Sequence, residues 1–366
     1  MSAASAYHIT AVEAAIVSLP LPRPVITPVH HITTVDNVLV TVRTDVGIEG
    51  LAYLWCFGER RARVLKSMVE ALAPYVMGAD ARQTSVLWDR LWRENNFFGR
   101  AGVAMLAHSA LDIACWDIKA RAVKQPLWQL LGGSERSIPT YAGGLFLSDP
   151  LEAIVEEAQG YVRQGFTAMK MRAGMPRLAD DIARFEAVRE AIGPDVKLMI
   201  DAVQAWTPDD AIRACRALAP FDITWIEDPV AFDDHAGMAR VAGAVSMALC
   251  AGENDYSRLG FARLIEQAGI RIAMPDLQRV GGITEWMRVA ALADAHGLRV
   301  TPHAFHELSV QLMCAVPNGF WLEYVPWWER LFTAPPRLSE GGMRPPPGPG
   351  LGLQFDWPAL DAWRIA

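Results

Sequence analysis

Apolar and polar positions along the chain follow two rhythms. In the first third, residues 37–44 alternate as a strand, Asp45-Val46-Gly47 turns the chain, and residues 48–55 read as a second strand. Apolar residues then recur at helical spacing over 60–75, 85–94 and 101–122, the last with a stripe through Met105, Leu106, Leu111 and Trp116. Gly132-Gly133 closes this part. An α+β domain over residues 1–130 is expected.

From Ile138 onward short apolar runs alternate with amphipathic segments. The runs lie at 167–170, 197–200, 223–226, 247–251, 270–274, 299–301 and 319–322, with helical patterns at 179–191, 211–218, 261–266 and 286–295. Strand–helix alternation argues for a parallel sheet, and eight such units in about 190 residues suit a closed barrel. The expected fold class is α/β: a (β/α)7–8 barrel of the TIM type over 131–325, with an α+β N-terminal domain. The segment 326–366 is expected to pack back on that first domain. Its cluster Gly348-Pro349-Gly350-Leu351-Gly352 is no phosphate loop, because no strand leads into it and no Lys-Ser/Thr follows; it reads as a turn.

Composition narrows the partners. With 366 residues the chain exceeds what a single core usually holds, and 52% apolar with 20% charged residues is ordinary for a globular protein. A net charge of −7 without a basic stripe gives nucleic acid no footing, so small molecules are the expected partners. Residues 1–21 hold no Lys or Arg, unlike a secretory signal, and nothing offers the roughly 20 apolar residues of a membrane span. Five scattered cysteines (Cys56, Cys115, Cys215, Cys250, Cys314) suit reduced thiols, and hence a cytoplasmic protein.

The strand ends carry the chemistry. Lys170 and Arg172 end the second barrel run, Asp201 the third, Glu227 the fourth, Glu253 follows the fifth, Asp276 the sixth, His303 the seventh and Glu323 the eighth. Taken singly, an acid after a strand reads as a solvated loop residue or a helix N-cap. One charged residue per unit is a different matter, because in a barrel such positions converge on one mouth. Leu198-Met199-Ile200-Asp201 and Thr224-Trp225-Ile226-Glu227 set carboxylates against apolar runs, where a lone charge is costly. Three mutually repelling carboxylates, Asp201, Glu227 and Glu253, suit a hard divalent cation: one Mg2+ per active site, with Mn2+ as the alternative.

Lys170-Met171-Arg172, Asp201, Ile226-Glu227-Asp228-Pro229, Gly252-Glu253-Asn254, Pro275-Asp276 with Gly281-Gly282, Pro302-His303 and Leu322-Glu323 together resemble the enolase superfamily, in particular its mandelate racemase subgroup. The resemblance spans nearly the whole chain and implies that the N-terminal domain and the tail form a lid over the mouth. Loops at 26–33 and 53–57, with His30, His31, Trp55 and Phe57, would then choose the substrate. It further implies a homo-oligomer, dimer or octamer, and removal of the proton beside a substrate carboxylate. His303 would be the base and Asp276 its orienting partner. Lys170 would add charge at the carboxylate, and a protonated Glu323 would donate a hydrogen bond. Lys170, Gln204, Asn254, Tyr53 and Trp55 are the expected substrate contacts. His296, His306, His30 and His31 read as structural.

Two departures bear on the reaction. Arg172 stands where the racemase pattern has a lysine base, and a guanidinium is a poor proton acceptor. Asp201-Ala202-Val203-Gln204 replaces the usual Asp-x-Asn, so contact with a substrate hydroxyl is lost or passes to Gln204. One usable base favours syn dehydration of an acid sugar or other β-hydroxy acid to a 2-keto acid. The alternatives are a racemase or epimerase of a 2-hydroxy acid and a non-catalytic binder of metal and carboxylate.

Overall fold

The computed structural model describes residues 7–26 and 31–365. Strands β1 (Ile9–Ile26), β2 (His31–Thr44) and β3 (Glu49–Cys56) form an antiparallel meander, and the terminal strand Arg364–Ile365 adds to the outer edge of β1. The sequence reading missed β1. Its register slips between Pro20 and Val25, where three prolines lack the N–H groups of a regular ladder. Helices α1 (Glu59–Leu72), α2 (Thr84–Glu94) and α3 (Val103–Ala122) cover the meander. Gly50 lets β3 approach α3 closely, since a Cβ there would stand 2.0 Å from the Ala114 carbonyl oxygen.

Buried Asp117 of α3 fastens two segments to the helix. It accepts from the backbone N–H of Leu51 at 3.0 Å and of Leu351 at 2.8 Å, and from Arg121 Nε at 2.9 Å. The glycine cluster of the tail is therefore structural, as expected. Gly350 has φ +73°, and a side chain there would collide with the Asp117 carboxylate.

Eight parallel strands follow: β4 (Ile138–Ala142), β5 (Ala168–Arg172), β6 (Lys197–Asp201), β7 (Ile223–Glu227), β8 (Ala248–Ala251), β9 (Ile272–Ala273), β10 (Arg299–Val300) and β11 (Leu322–Tyr324). Each pairs with the next from β4 to β10, β11 pairs with β4, and a bridge between Val300 and Gly319 closes the ring. A helix follows each strand from β4 to β10, the last being His306–Met313, so the barrel is (β/α)7β. Local sequence starts several of these helices. Thr207 accepts from the Asp210 N–H ahead of Pro208, and Asp234 accepts from the Gly237 N–H.

Inward-facing side chains fill the barrel. Tyr141, Ala168, Met199, Trp225, Cys250, Ile272 and Met274 form a packed apolar cluster of their own. The first domain is tied across the barrel by Asp112, which accepts from the Thr284 N–H (2.8 Å), and by Trp88 Nε1, which donates to the Gly281 carbonyl (2.9 Å).

Candidate active site

The site follows from the period of two in a β-strand. Two residues beyond inward Ala168 comes Lys170, and two beyond Met199 comes Asp201. Glu227 follows Trp225 and Asp276 follows Met274 in the same way. The charged ring is thus the next layer above the apolar core. Parallel register sets Arg172 beside Asp201 and Asp201 beside Glu227, and a bridge pairs Asp276 with His303.

Lys170 is buried at the centre. Its Nζ donates to both oxygens of Glu227 (2.7 and 2.8 Å) and lies 2.8 Å from Glu323 Oε1 and 3.8 Å from Asp201 Oδ2. Burial opposes its charge, but Glu227 and Glu323 outweigh burial and hold it protonated. Arg172 places Nε 3.1 Å from Asp201 Oδ2 and donates through Nη1 to the carbonyls of Gly143 and Gly144. Neither residue is a proton acceptor in this arrangement.

His303 and Asp276 form a dyad. Nδ1 of the imidazole lies 2.7 Å from Asp276 Oδ2, and Nε2 lies 3.3 Å from Glu253 Oε2. Asp276 Oδ1 meanwhile caps the helix Leu277–Val280, accepting from the N–H groups of Gln278 and Arg279. Burial lowers the affinity of His303 for a proton, but Glu253, the bond to Asp276 and the charge of Glu323 more than offset it, raising the pKa from 6.5 to about 9.

Asp201, Glu227 and Glu253 line the mouth on three successive strand ends. As they stand, no three His, Cys, Asp or Glu side chains among the described residues are gathered closely enough to hold an ion; Lys170 and Arg172 lie between the acids. The donor set nevertheless fits a hard divalent cation. Six carboxylates (Asp201, Glu227, Asp228, Glu253, Asp276 and Glu323) face three permanent cations, Lys170, Arg172 and Arg279. The excess shows in Glu227 and Asp228, whose pKa values burial and then neighbouring charges push well above the carboxylate range, Lys170 offsetting only part of it at Glu227. Asp228 Oδ1 is also buried with no hydrogen-bond partner. Oxygen-only donors with surplus negative charge suit such an ion.

Several expectations need correction. Tyr53 is fully buried, donates to Glu307 Oε2 at 2.9 Å and packs on Phe305, Trp328 and Phe332, away from the cavity. Gln204 turns outward, its φ of +60° sending Oε1 to the Phe232 N–H (3.0 Å). Asn254 donates to Asp228 and Glu253, supporting carboxylates rather than facing the cavity. Glu323 is not held protonated: burial raises its pKa, but Lys170, His303 and Arg172 together lower it to about 2. Both its oxygens accept, Oε2 from the Ala304 N–H at 2.8 Å. Trp55 does line the cavity, with its ring 6.2 Å from His303. His30 lies outside the described residues, His31 is an exposed strand residue, and His306 is buried with both ring nitrogens unbonded.

Sequence reasoning overlooked Arg279 and gave Asp228, quoted only within the Ile226-Glu227-Asp228-Pro229 run, no role of its own. Arg279 lines the cavity and reaches Asp276 Oδ2 (3.3 Å) and the Glu253 carbonyl (3.1 Å). Its position three residues after Asp276, on the same helical turn, was the available signal. The cavity above the charged floor measures about 200 Å³.

Fold and mouth together define a barrel enzyme of the enolase type. The Enolase C-terminal domain-like family matches residues 153–359, and the Mandelate racemase / muconate lactonizing enzyme N-terminal domain matches 11–132. The chain is 36% identical over 345 residues to 3,6-anhydro-alpha-L-galactonate cycloisomerase of Streptomyces coelicolor, covering 93% of this chain and 95% of that protein. It is 32% identical to L-talarate/galactarate dehydratase of Salmonella typhimurium, over 88% of this chain and 81% of the relative. A racemase from Streptomyces coelicolor A3(2), crystallised with bound magnesium, superposes with a TM-score of 0.94 at 33% identity, over 98% of this chain and all of that one. The chain belongs to the mandelate racemase / muconate lactonizing enzyme family and is an enzyme.

Proposed function

We propose that this enzyme removes the α-proton of a carboxylate substrate with His303 and expels the β-hydroxyl as water, giving a 2-keto acid. The observation that carries the reading is the His303–Asp276 dyad facing a floor whose opposite side offers only cations already committed to carboxylates. Asp201, Glu227 and Glu253 would hold a Mg2+ ion, which would supply Lewis-acid positive charge at the substrate carboxylate. The relatives support that choice of ion, since the Streptomyces coelicolor racemase was crystallised with magnesium.

The chain's own residues do the rest. Asp276 fixes the proton on Nδ1, which leaves Nε2 as the basic nitrogen. As imidazolium, His303 is stabilised by Asp276 and can return its proton to the departing hydroxyl on the same face. Lys170 adds positive charge at the substrate carboxylate, and Glu323 holds Lys170 in place. Racemisation needs a second base, and on the other side Arg172 is a guanidinium committed to Asp201 while Lys170 is held between Glu227 and Glu323. Dehydratases among the relatives agree with this reading.

Five cysteines without disulfides support a reducing, cytoplasmic setting, and the reading carries with it a homo-oligomer. No described helix is long and apolar enough to cross a membrane. The test is a screen of hydroxy acids with Mg2+, scored by semicarbazide trapping of keto acid and by α-deuterium incorporation. Keto acid formed by the wild type and lost in His303→Asn is expected. Label incorporated with inversion and no keto acid would instead make it a racemase.

A further inference from the structure

The cavity has a charged floor and an apolar wall. Above Arg172, Glu253 and His303 the described residues that enclose it include Trp55, Phe57, Phe146, Val203, Trp327 and Trp328. The indole nitrogens of Trp55 and Trp328 are buried, so neither offers its N–H to the cavity. No described wall residue presents a hydroxyl, amide or free charge to a bound chain.

We infer that the substrate is a 2,3-dihydroxy carboxylate whose C3 bears an apolar group of about phenyl size, and not a polyhydroxylated acid. This rests on the dehydration reading above. Each further hydroxyl pressed against this wall would lose its water without gaining a partner, costing on the order of tenfold or more in kcat/KM. In the adjoining cavity past Trp327, Arg23 is already held by Glu157 and Asp149, and Arg330 lies over the Trp363 ring. An aryl group meets aromatic faces instead, Trp55 and Phe57 standing 5.3 Å apart and Phe146 stacking on Trp327 at 6.1 Å.

Val203 is the sharpest single sign. It is a β-branched residue at φ +48°, a backbone conformation that Asn adopts readily and Val rarely, yet its side chain is 44% exposed and lines the cavity. An apolar side chain is thus kept where the backbone would sooner accept an amide.

For such a substrate the reaction balances without a co-reactant. His303 takes the C2 proton, and the C–H electron pair enters the enediolate. That pair then forms C2=C3 as the C3–O bond breaks, and the hydroxyl leaves as water with the proton from His303. The resulting enol tautomerises to the 2-keto acid.

The test compares 2,3-dihydroxy-3-phenylpropanoate, in all stereoisomers, with galactarate and a set of pentonates, using the full-length protein with Mg2+. Semicarbazide trapping reads dehydration, and α-deuterium incorporation in heavy water reads proton removal. At least a hundredfold higher kcat/KM for one isomer of the aryl acid is expected, and Val203→Asn is expected to narrow the gap tenfold or more. Dehydration of the acid sugars with an inert aryl acid would overturn this inference and leave the dehydration reading standing. Deuterium exchange of the aryl acid without keto acid would uphold the apolar class and overturn dehydration. Exchange with neither class would overturn both.

Discussion

Replacing Asp276 by Asn separates its two duties. As a helix N-cap Asn equals Asp, so the cap on Leu277–Val280 survives, whereas Asp276→Ala forfeits about 0.5–2 kcal/mol of stability. As the partner of His303, Asn lacks the charge that helps raise the imidazole pKa from 6.5 to about 9. Asp276 shares that effect with Glu253 and Glu323, so the loss corresponds to roughly one pH unit or more, about 1.4 kcal/mol per unit. The base acts when neutral, so activity rises with pH through the His303 pKa, and the variant's acid limb should move to lower pH. Loss of the fixed tautomer should also cut kcat by about 10³–10⁴, the scale seen when a carboxylate orienting a catalytic histidine is neutralised. The assay is a pH–rate profile of α-proton exchange alongside thermal melts of both variants. An unmoved acid limb with kcat within tenfold of wild type would refute the reasoning.

Other expectations follow from the same contacts. Adding Mg2+ should lower the titration midpoint of His303 followed by NMR, because a cation on Glu253 cancels the largest of the charges that raise it; an unchanged midpoint would argue against Glu253 as a ligand. Glu307 is pushed up to about 8, chiefly by burial, so between pH 4.5 and about 8 it is protonated when folded and ionised when unfolded. Its contribution to stability is therefore full below about pH 4.5 and lost as pH rises through 8. The stability of wild type relative to Glu307→Gln should fall by roughly 2–5 kcal/mol across that window in denaturant titrations. Asp117→Ala should cost about 3–5 kcal/mol, since it strands two backbone N–H groups and Arg121; a loss under 1 kcal/mol would contradict its role in fastening the tail.

Much of this was legible in the sequence because barrel geometry is local and periodic. An inward apolar residue followed two positions later by a charge is visible in Met199–Asp201 and Trp225–Glu227 without any structure. Strand β1 was less legible, because Pro20, Pro22 and Pro24 interrupt the alternation that identifies a strand. Side-chain direction was the weakest reading. Tyr53 and Trp55 point to one face of β3, but Phe305, Trp328 and Phe332 enclose Tyr53 fully, whereas Trp55, packed on Phe57 and Trp328, still lines the cavity. Gln204 is turned away by a left-handed backbone that sequence spacing does not reveal. The state of Glu323 depended on three cations, Lys170 and Arg172 from strand β5 and His303 from the loop after β10, so the crowd of acids around it was a misleading guide.

The most direct test of the account is α-proton exchange in heavy water followed by 1H NMR on a turned-over hydroxy acid. Wild type, His303→Asn and EDTA-treated wild type would be compared at equal concentration. The account predicts exchange in the first with Mg2+ present, loss of at least a thousandfold in the second, and loss on chelation that returns with added Mg2+. Exchange that survives either the substitution or the chelator would contradict it.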